Sequence, residues 1–78
     1  MNLHKHDVAF PEACEVFFDP FFCLVEAGGE EEARAAAIGY TERSRLLFVV
    51  LVVCQEEAIR IISARLATTE ERKIYEYE

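Results

Sequence analysis

The sequence predicts an α+β domain, a small antiparallel β-sheet of about four strands packed with a short N-terminal helix and a C-terminal helix. Three observations predict it. The eight-residue run "LLFVVLVV" (Leu46 to Val53) is rich in β-branched and aromatic residues, as a central strand would be. A second β-rich stretch, "IRIISAR" (Ile59 to Arg65), follows a short "QEE" connection, which suits antiparallel pairing. Helical signals stand near the two ends, at Phe10 to Phe17 and after Thr68. The 78 residues are read as one domain, 1–78. A chain this short buries only about 60–65% of its unfolded surface, so its stability margin is thin.

Each element has a local cause. Phe10, Ala13, Cys14 and Phe17 fall at i, i+3, i+4 and i+7, one apolar stripe of a short helix with Pro11 in its first turn. Asp19-Pro20 stops it, because a residue before proline avoids the helical region. "FFCLVEA" (21–27) then reads as a strand, and Gly28-Gly29 opens a loop. "EEEARAAAIGY" is ambiguous: Ala and Glu favour helix, whereas connection to the next strand through "TERS" favours a hairpin. We assign a strand over roughly 33–40. Strands at 45–54 and 58–65 complete the sheet, and Thr68 with Glu71 forms a T-x-x-E capping box that starts a helix at about 69–77.

Composition narrows the class. Hydrophobic residues make up 53% of the chain, too many for disorder, and no stretch approaches the roughly 20 apolar residues of a membrane helix. The N-terminus lacks an apolar signal segment, so a soluble, cytoplasmic protein with no membrane partner is expected. Cys14, Cys23 and Cys54 are odd in number and lack C-x-x-C spacing, which points to reduced structural thiols. No metal and no cofactor are expected. The net charge of −7 disfavours non-specific binding of nucleic acid and favours a basic partner, although acidic runs are more often solvated surface.

Strand alternation assigns candidate residues to faces. If the turn at 41–44 pairs Tyr40 with Arg45, and the turn at 55–57 pairs Cys54 with Ala58, then Arg34, Tyr40, Arg45 and Arg65 share one face. On this register Arg65 faces Leu47, Arg34 lies towards the other end, and Arg60 points to the opposite side with Ile62 and Ala64. Both faces of 46–53 are apolar, so both should be covered, one by helices and the other partly by a partner or a second copy.

Arg34, Arg45 and Arg65 can hold phosphate oxygens through forked, charge-assisted bonds. Backbone N–H groups at Thr68 to Glu70 open the last helix just after Arg65 and form an anion site for which Glu70 and Glu71 would compete. Arg72 and Tyr75 lie three apart on that helix. The plainer alternative is that Arg65 caps a carboxylate and Tyr75 packs on the sheet. In "HKHD" (4–7), Lys5 can stabilise developing negative charge and His6 can transfer protons near neutrality, whereas His4 suits a solvated position. No hydrolase elbow, P-loop or dinucleotide fingerprint is present.

Three segments, "NLHKHDVAFPEACEVFFDP", "EARAAAIGYTERSRLLFVV" and "IRIISARLATTEERKIYE", resemble the BrnT family of bacterial toxins over nearly the whole chain. The resemblance implies a RelE/ParE-like fold and a metal-independent endoribonuclease that attacks a phosphodiester with the neighbouring 2′-hydroxyl. It further implies neutralisation by a BrnA-like ribbon-helix-helix antitoxin, with operator DNA bound only through that antitoxin. Matching positions are Lys5 and His6, Arg34 before Ile38-Gly39, Arg45 before Leu46-Leu47, Arg65 closing "ISAR", and Glu71, Arg72 and Tyr75 on the last helix. Lys5, His6, Arg34, Arg65 and Tyr75 are the catalytic candidates, and Arg45 and Arg72 the substrate-binding ones.

The sequence also departs from the family pattern. The usual first strand, "F-x-W-D", is missing, so self-association through an exposed edge is expected. Asp7 and Ser44 stand at family glycines, and Ala9 at a position usually polar. Two further readings therefore accompany the toxin. One is a catalytically weak or inactive module that binds an antitoxin-like partner or itself; the other is a purely structural oligomerising domain.

Overall fold

The structure, a computed structural model, describes residues 8–27, 34–54 and 58–77. The elements follow the predicted order. Helix α1 (Phe10–Glu15) has Pro11 in its first turn and runs into a 3-10 turn, Val16–Phe18, that ends at Asp19. Strands β1 (Cys23–Glu26), β2 (Arg34–Tyr40), β3 (Leu46–Val53) and β4 (Ile59–Leu66) pair in sequence order, each antiparallel to the next. Helix α2 (Thr69–Tyr77) closes the described chain. The ambiguous alanine-rich segment is a strand: Ala36, Ala37 and Ile38 are fully buried in the sheet, and that tertiary burial overrides the helix preference of alanine.

The sheet has two distinct faces. On one, Val8, Ala13 and Val16 pack with Ala37, Leu47, Val49, Leu51, Ile61 and Ala64 to form the core. Gly39 permits the closest approach here. A Cβ built on it would meet Val16 Cγ1 at 2.9 Å and Phe22 Cβ at 3.0 Å, so any larger residue would push the 3-10 turn off β2. The other face carries Ile38, Tyr40, Leu46, Phe48, Val50 and Val52, and α2 lies against its Tyr40 end.

The register corrects two expectations. Tyr40 pairs with Leu46, and Arg45 instead lies opposite Thr41, whose N–H donates to the Arg45 carbonyl at 3.0 Å. The reason is the turn. Its loop is the three residues 42–44, with Ser44 in the left-handed region at φ 63°, and Thr41 Oγ1 accepts from the amides of Arg43 and Arg45. Arg45 therefore leaves the Tyr40 face.

The second correction lies between β3 and β4. Cys54 donates to the Ala58 carbonyl as expected, but a β-bulge at Ile62 shifts every later pair by one. Arg65 consequently faces Phe48 rather than Leu47, which keeps it on the Tyr40 face, and Arg60 pairs with Val52 on that same face rather than the opposite one. The helices lie on opposite faces of the sheet instead of sharing one: α1 packs on the core face, and α2 lies against Tyr40 of β2 on the other.

Candidate active site

Helix α2 has no fully buried residue, so burial alone holds it weakly. Three side-chain clamps fasten it. At its start, the capping box forms in both directions: the Thr68 amide donates to Glu71 Oε1 at 2.9 Å, and the Glu71 amide donates to Thr68 Oγ1 at 3.2 Å. Of the amides of Thr68 to Glu70 expected to form an anion site at this helix end, the Thr68 amide is taken by Glu71, one of the two carboxylates expected to compete for it.

Glu71 also binds Arg65. Arg65 Nη1 and Nη2 donate to the two carboxylate oxygens at 2.7 Å each, and Nη1 donates to the Leu66 carbonyl at 3.1 Å. The guanidinium lies 4.4 Å above the centre of the Phe48 ring. Hydrogen bonding to Arg65 is the largest influence on Glu71 and outweighs burial, so its pKa is lowered; the same bond raises that of Arg65. A guanidinium has five N–H donors, and these bonds engage three. The lateral edge, Nε with the second Nη2 proton, is a fork suited to a phosphate.

The second clamp joins Arg72 to β2. Arg72 Nη1 donates to the Tyr40 hydroxyl at 3.0 Å, which leaves the Tyr40 proton available to another acceptor. The third joins Tyr75 to Asp19, at the end of the 3-10 turn that follows α1. The Tyr75 hydroxyl donates to Asp19 Oδ2 at 2.7 Å, and the Tyr75 ring meets the Tyr40 ring edge-on at 5.3 Å. Burial, then the bond to Asp19, pushes the Tyr75 pKa up to about 12. Asp19 also accepts from the amides of Tyr40 and Phe21, both at 2.8 Å. Burial favours its neutral form, but the bonds from Tyr40, Tyr75 and Phe21 together hold its pKa below the ordinary value.

α2 thus meets the sheet at two places: Glu71 holds Arg65 of β4, and Arg72 and Tyr75 both meet Tyr40 of β2. The structure places Arg45 elsewhere: its Nε lies 3.0 Å from Glu12 Oε2 on the α1 side, an ion pair without good hydrogen-bond alignment. Arg34 shares the Tyr40 face but sits at the opposite end of β2, about 20 Å away along the strand. Lys5 and His6 lie outside the described residues.

Two residues of this face had no functional assignment from sequence. Tyr40 was placed on the right face by alternation, but nothing in the local pattern shows that Arg72 reaches it from 32 positions away. Arg60 was placed on the wrong face, because the bulge carries no glycine to mark it.

A cleft of about 280 Å³ is lined by Glu15, Phe18, Asp19, Tyr40, Thr41 and Glu42, and its three carboxylates repel phosphate. Among the described residues no helix is long and apolar enough to cross a membrane.

The family model described as "Ribonuclease toxin, BrnT, of type II toxin-antitoxin system" matches residues 1–71 of the 78. No curated protein matches the chain significantly.

Proposed function

The chain belongs to the BrnT family of ribonuclease toxins of type II toxin-antitoxin systems, and from that premise we propose that it cleaves RNA in the cytoplasm, without a metal, at the Arg65 end of the sheet. The observation that carries the reading is the half-engaged Arg65 guanidinium. Glu71 fixes its end-on fork and Phe48 supports its plane, while the lateral fork stays open towards a phosphate. In this reading the 2′-hydroxyl attacks the adjacent phosphorus and the 5′-oxygen leaves with a proton. Arg65 stabilises the charge on the phosphoryl oxygens, and Lys5 or His6 assists proton transfer. Tyr40 is placed to donate a proton beside Arg72, which assists in binding the substrate. Tyr75 acts by anchoring α2, because its hydroxyl is bound to Asp19 and does not ionise near neutrality.

The family assignment implies an antitoxin partner. Its identity as a BrnA-like ribbon-helix-helix protein that carries the complex to operator DNA belongs to this proposal, and the net charge of −7 suits a basic partner. Self-association through an open sheet edge is part of it too, since Leu24 on edge strand β1 is 60% exposed.

A second reading is favoured by the same bonds. Arg65, Arg72 and Tyr75 each have a bonding partner within the chain, as they would in an inactive module that keeps them for packing. The deciding experiment is RNA cleavage in the presence of a chelator by wild-type protein and by Arg65→Ala prepared side by side, with circular dichroism on both. Cleavage by the wild type alone supports the toxin. Absence of cleavage by folded wild type supports the binding module, and co-purification with a small basic partner then identifies what it binds.

A further inference from the structure

The bulge at Ile62 does what a regular strand cannot. Residues 60 and 65 are five apart and would face opposite sides of an uninterrupted strand. The extra residue turns both to one side, Arg65 opposite Phe48 and Arg60 opposite Val52, two positions that share a face of β3. Bulges recur beside functional sites because they re-aim side chains in this way. Val52 also pairs with Arg34 on its other flank. Arginines therefore stand on both strands beside Val52, their Cα atoms roughly 10 Å apart.

Among the described sheet residues, Arg34, Arg60 and Arg65 project from this face and no aspartate or glutamate does, since Glu26 pairs with Ala35 on the α1 side. Arg72 adds a cation from α2, and the nearby Glu71 is already bound to Arg65. In a chain of net charge −7, these arginines gather cationic groups for a polyanion on one face of the sheet. Phe48 and Val52 lie four residues apart on β3, so the two cationic ends are separated by roughly 13 Å. That is the span of a few nucleotides. Between them Val50 is only half-buried, which leaves apolar surface beside the Arg65-covered ring of Phe48 against which an unstacked base can lie.

We infer that this face is a track for single-stranded RNA, in which Arg60 grips the backbone a few nucleotides from the phosphate at Arg65. The location of the scissile phosphate rests on the ribonuclease reading above; binding along the track does not.

Two measurements separate them. The first is fluorescence anisotropy with a 2′-O-methylated RNA of about ten nucleotides, which blocks the attacking hydroxyl while keeping the backbone charge. Wild type is compared with Arg60→Ala, Arg60→Lys and Arg43→Ala, the last removing one charge from the β2–β3 turn outside the track. Arg60→Ala is expected to weaken binding about three- to tenfold and to reduce the slope of log affinity against log salt by about 0.7. Arg60→Lys should keep most of the affinity and Arg43→Ala nearly all of it. No loss in Arg60→Ala, equal losses in Arg60→Ala and Arg43→Ala, or no binding by wild type would each overturn the track.

The second measurement is cleavage of an unmodified dinucleotide and of the longer RNA. Arg60→Ala should leave dinucleotide cleavage unchanged and slow that of the longer RNA. Equal rates on both substrates would overturn the track and leave the ribonuclease reading standing. Arg60-dependent binding with no cleavage by wild type would overturn the ribonuclease reading and leave the track standing.

Discussion

The hydroxyl of Tyr75 donates a 2.7 Å hydrogen bond to Asp19 across 56 residues of sequence, tying the last helix to the end of the 3-10 turn that follows the first. Because α2 buries no residue fully, this bond carries an unusual share of its attachment. Tyr75→Phe should lower stability by about 1 kcal/mol. Hydrogen exchange should show the loss first in the amides of α2, before those of β2 and β3. Uniform loss across the sheet would show that α2 is not a separately fastened element.

Alkaline pH should loosen the same contact. Tyr75 has a folded pKa of about 12 against an ordinary value of 10.0, so its neutral form is favoured by folding. The resulting stabilisation is complete below pH 10 and is lost as pH rises from there towards 12. Phenolate absorbance should show one late-titrating tyrosine, and Tyr75→Phe should remove it.

Acid should act through two carboxylates. Asp19 and Glu71 both titrate below their ordinary values of 3.8 and 4.5, so the charged forms favour folding. Their contribution is present above those values and is lost as pH falls below them. Glu71→Gln should flatten the acid limb of a stability-pH curve. An unchanged limb would mean that other carboxylates control acid unfolding.

Glu71→Gln also tests the positioning of Arg65. Removing one of the two charge-assisted bonds frees the guanidinium to move off Phe48. The RNA cleavage rate should fall about tenfold through kcat, with KM changed less, as expected when a transition-state contact is misaligned. A rise in activity would show instead that Glu71 competes with phosphate for Arg65.

Two backbone positions give opposite predictions. Ser44 adopts φ 63°, so Ser44→Gly should relieve strain and stabilise the protein by about 1 kcal/mol in thermal or denaturant unfolding. Gly39→Ala should destabilise it by about 1–3 kcal/mol, because the new methyl meets Val16 and Phe22 at 2.9 and 3.0 Å. A neutral Gly39→Ala would show that the 3-10 turn can retreat from β2 without cost.

The sequence by itself determined the elements and their order, because each is written in short-range chemistry. Pro11 opens α1, Asp19-Pro20 ends the segment, and Thr68 with Glu71 caps α2 in the bonding pattern their spacing implies. It also determined which residue types could handle a phosphate. What only the tertiary structure decided is which of them meet. β3 is apolar on both faces, so its alternation does not encode a register, and a slip of one residue leaves the hydrophobic pattern intact. The turn around Thr41 and the bulge at Ile62 decide it instead, sending Arg45 to Glu12 and bringing Arg60 beside Arg65's face. Bonds such as Tyr75 to Asp19 and Arg72 to Tyr40 join residues 56 and 32 positions apart, and no local propensity reaches that far.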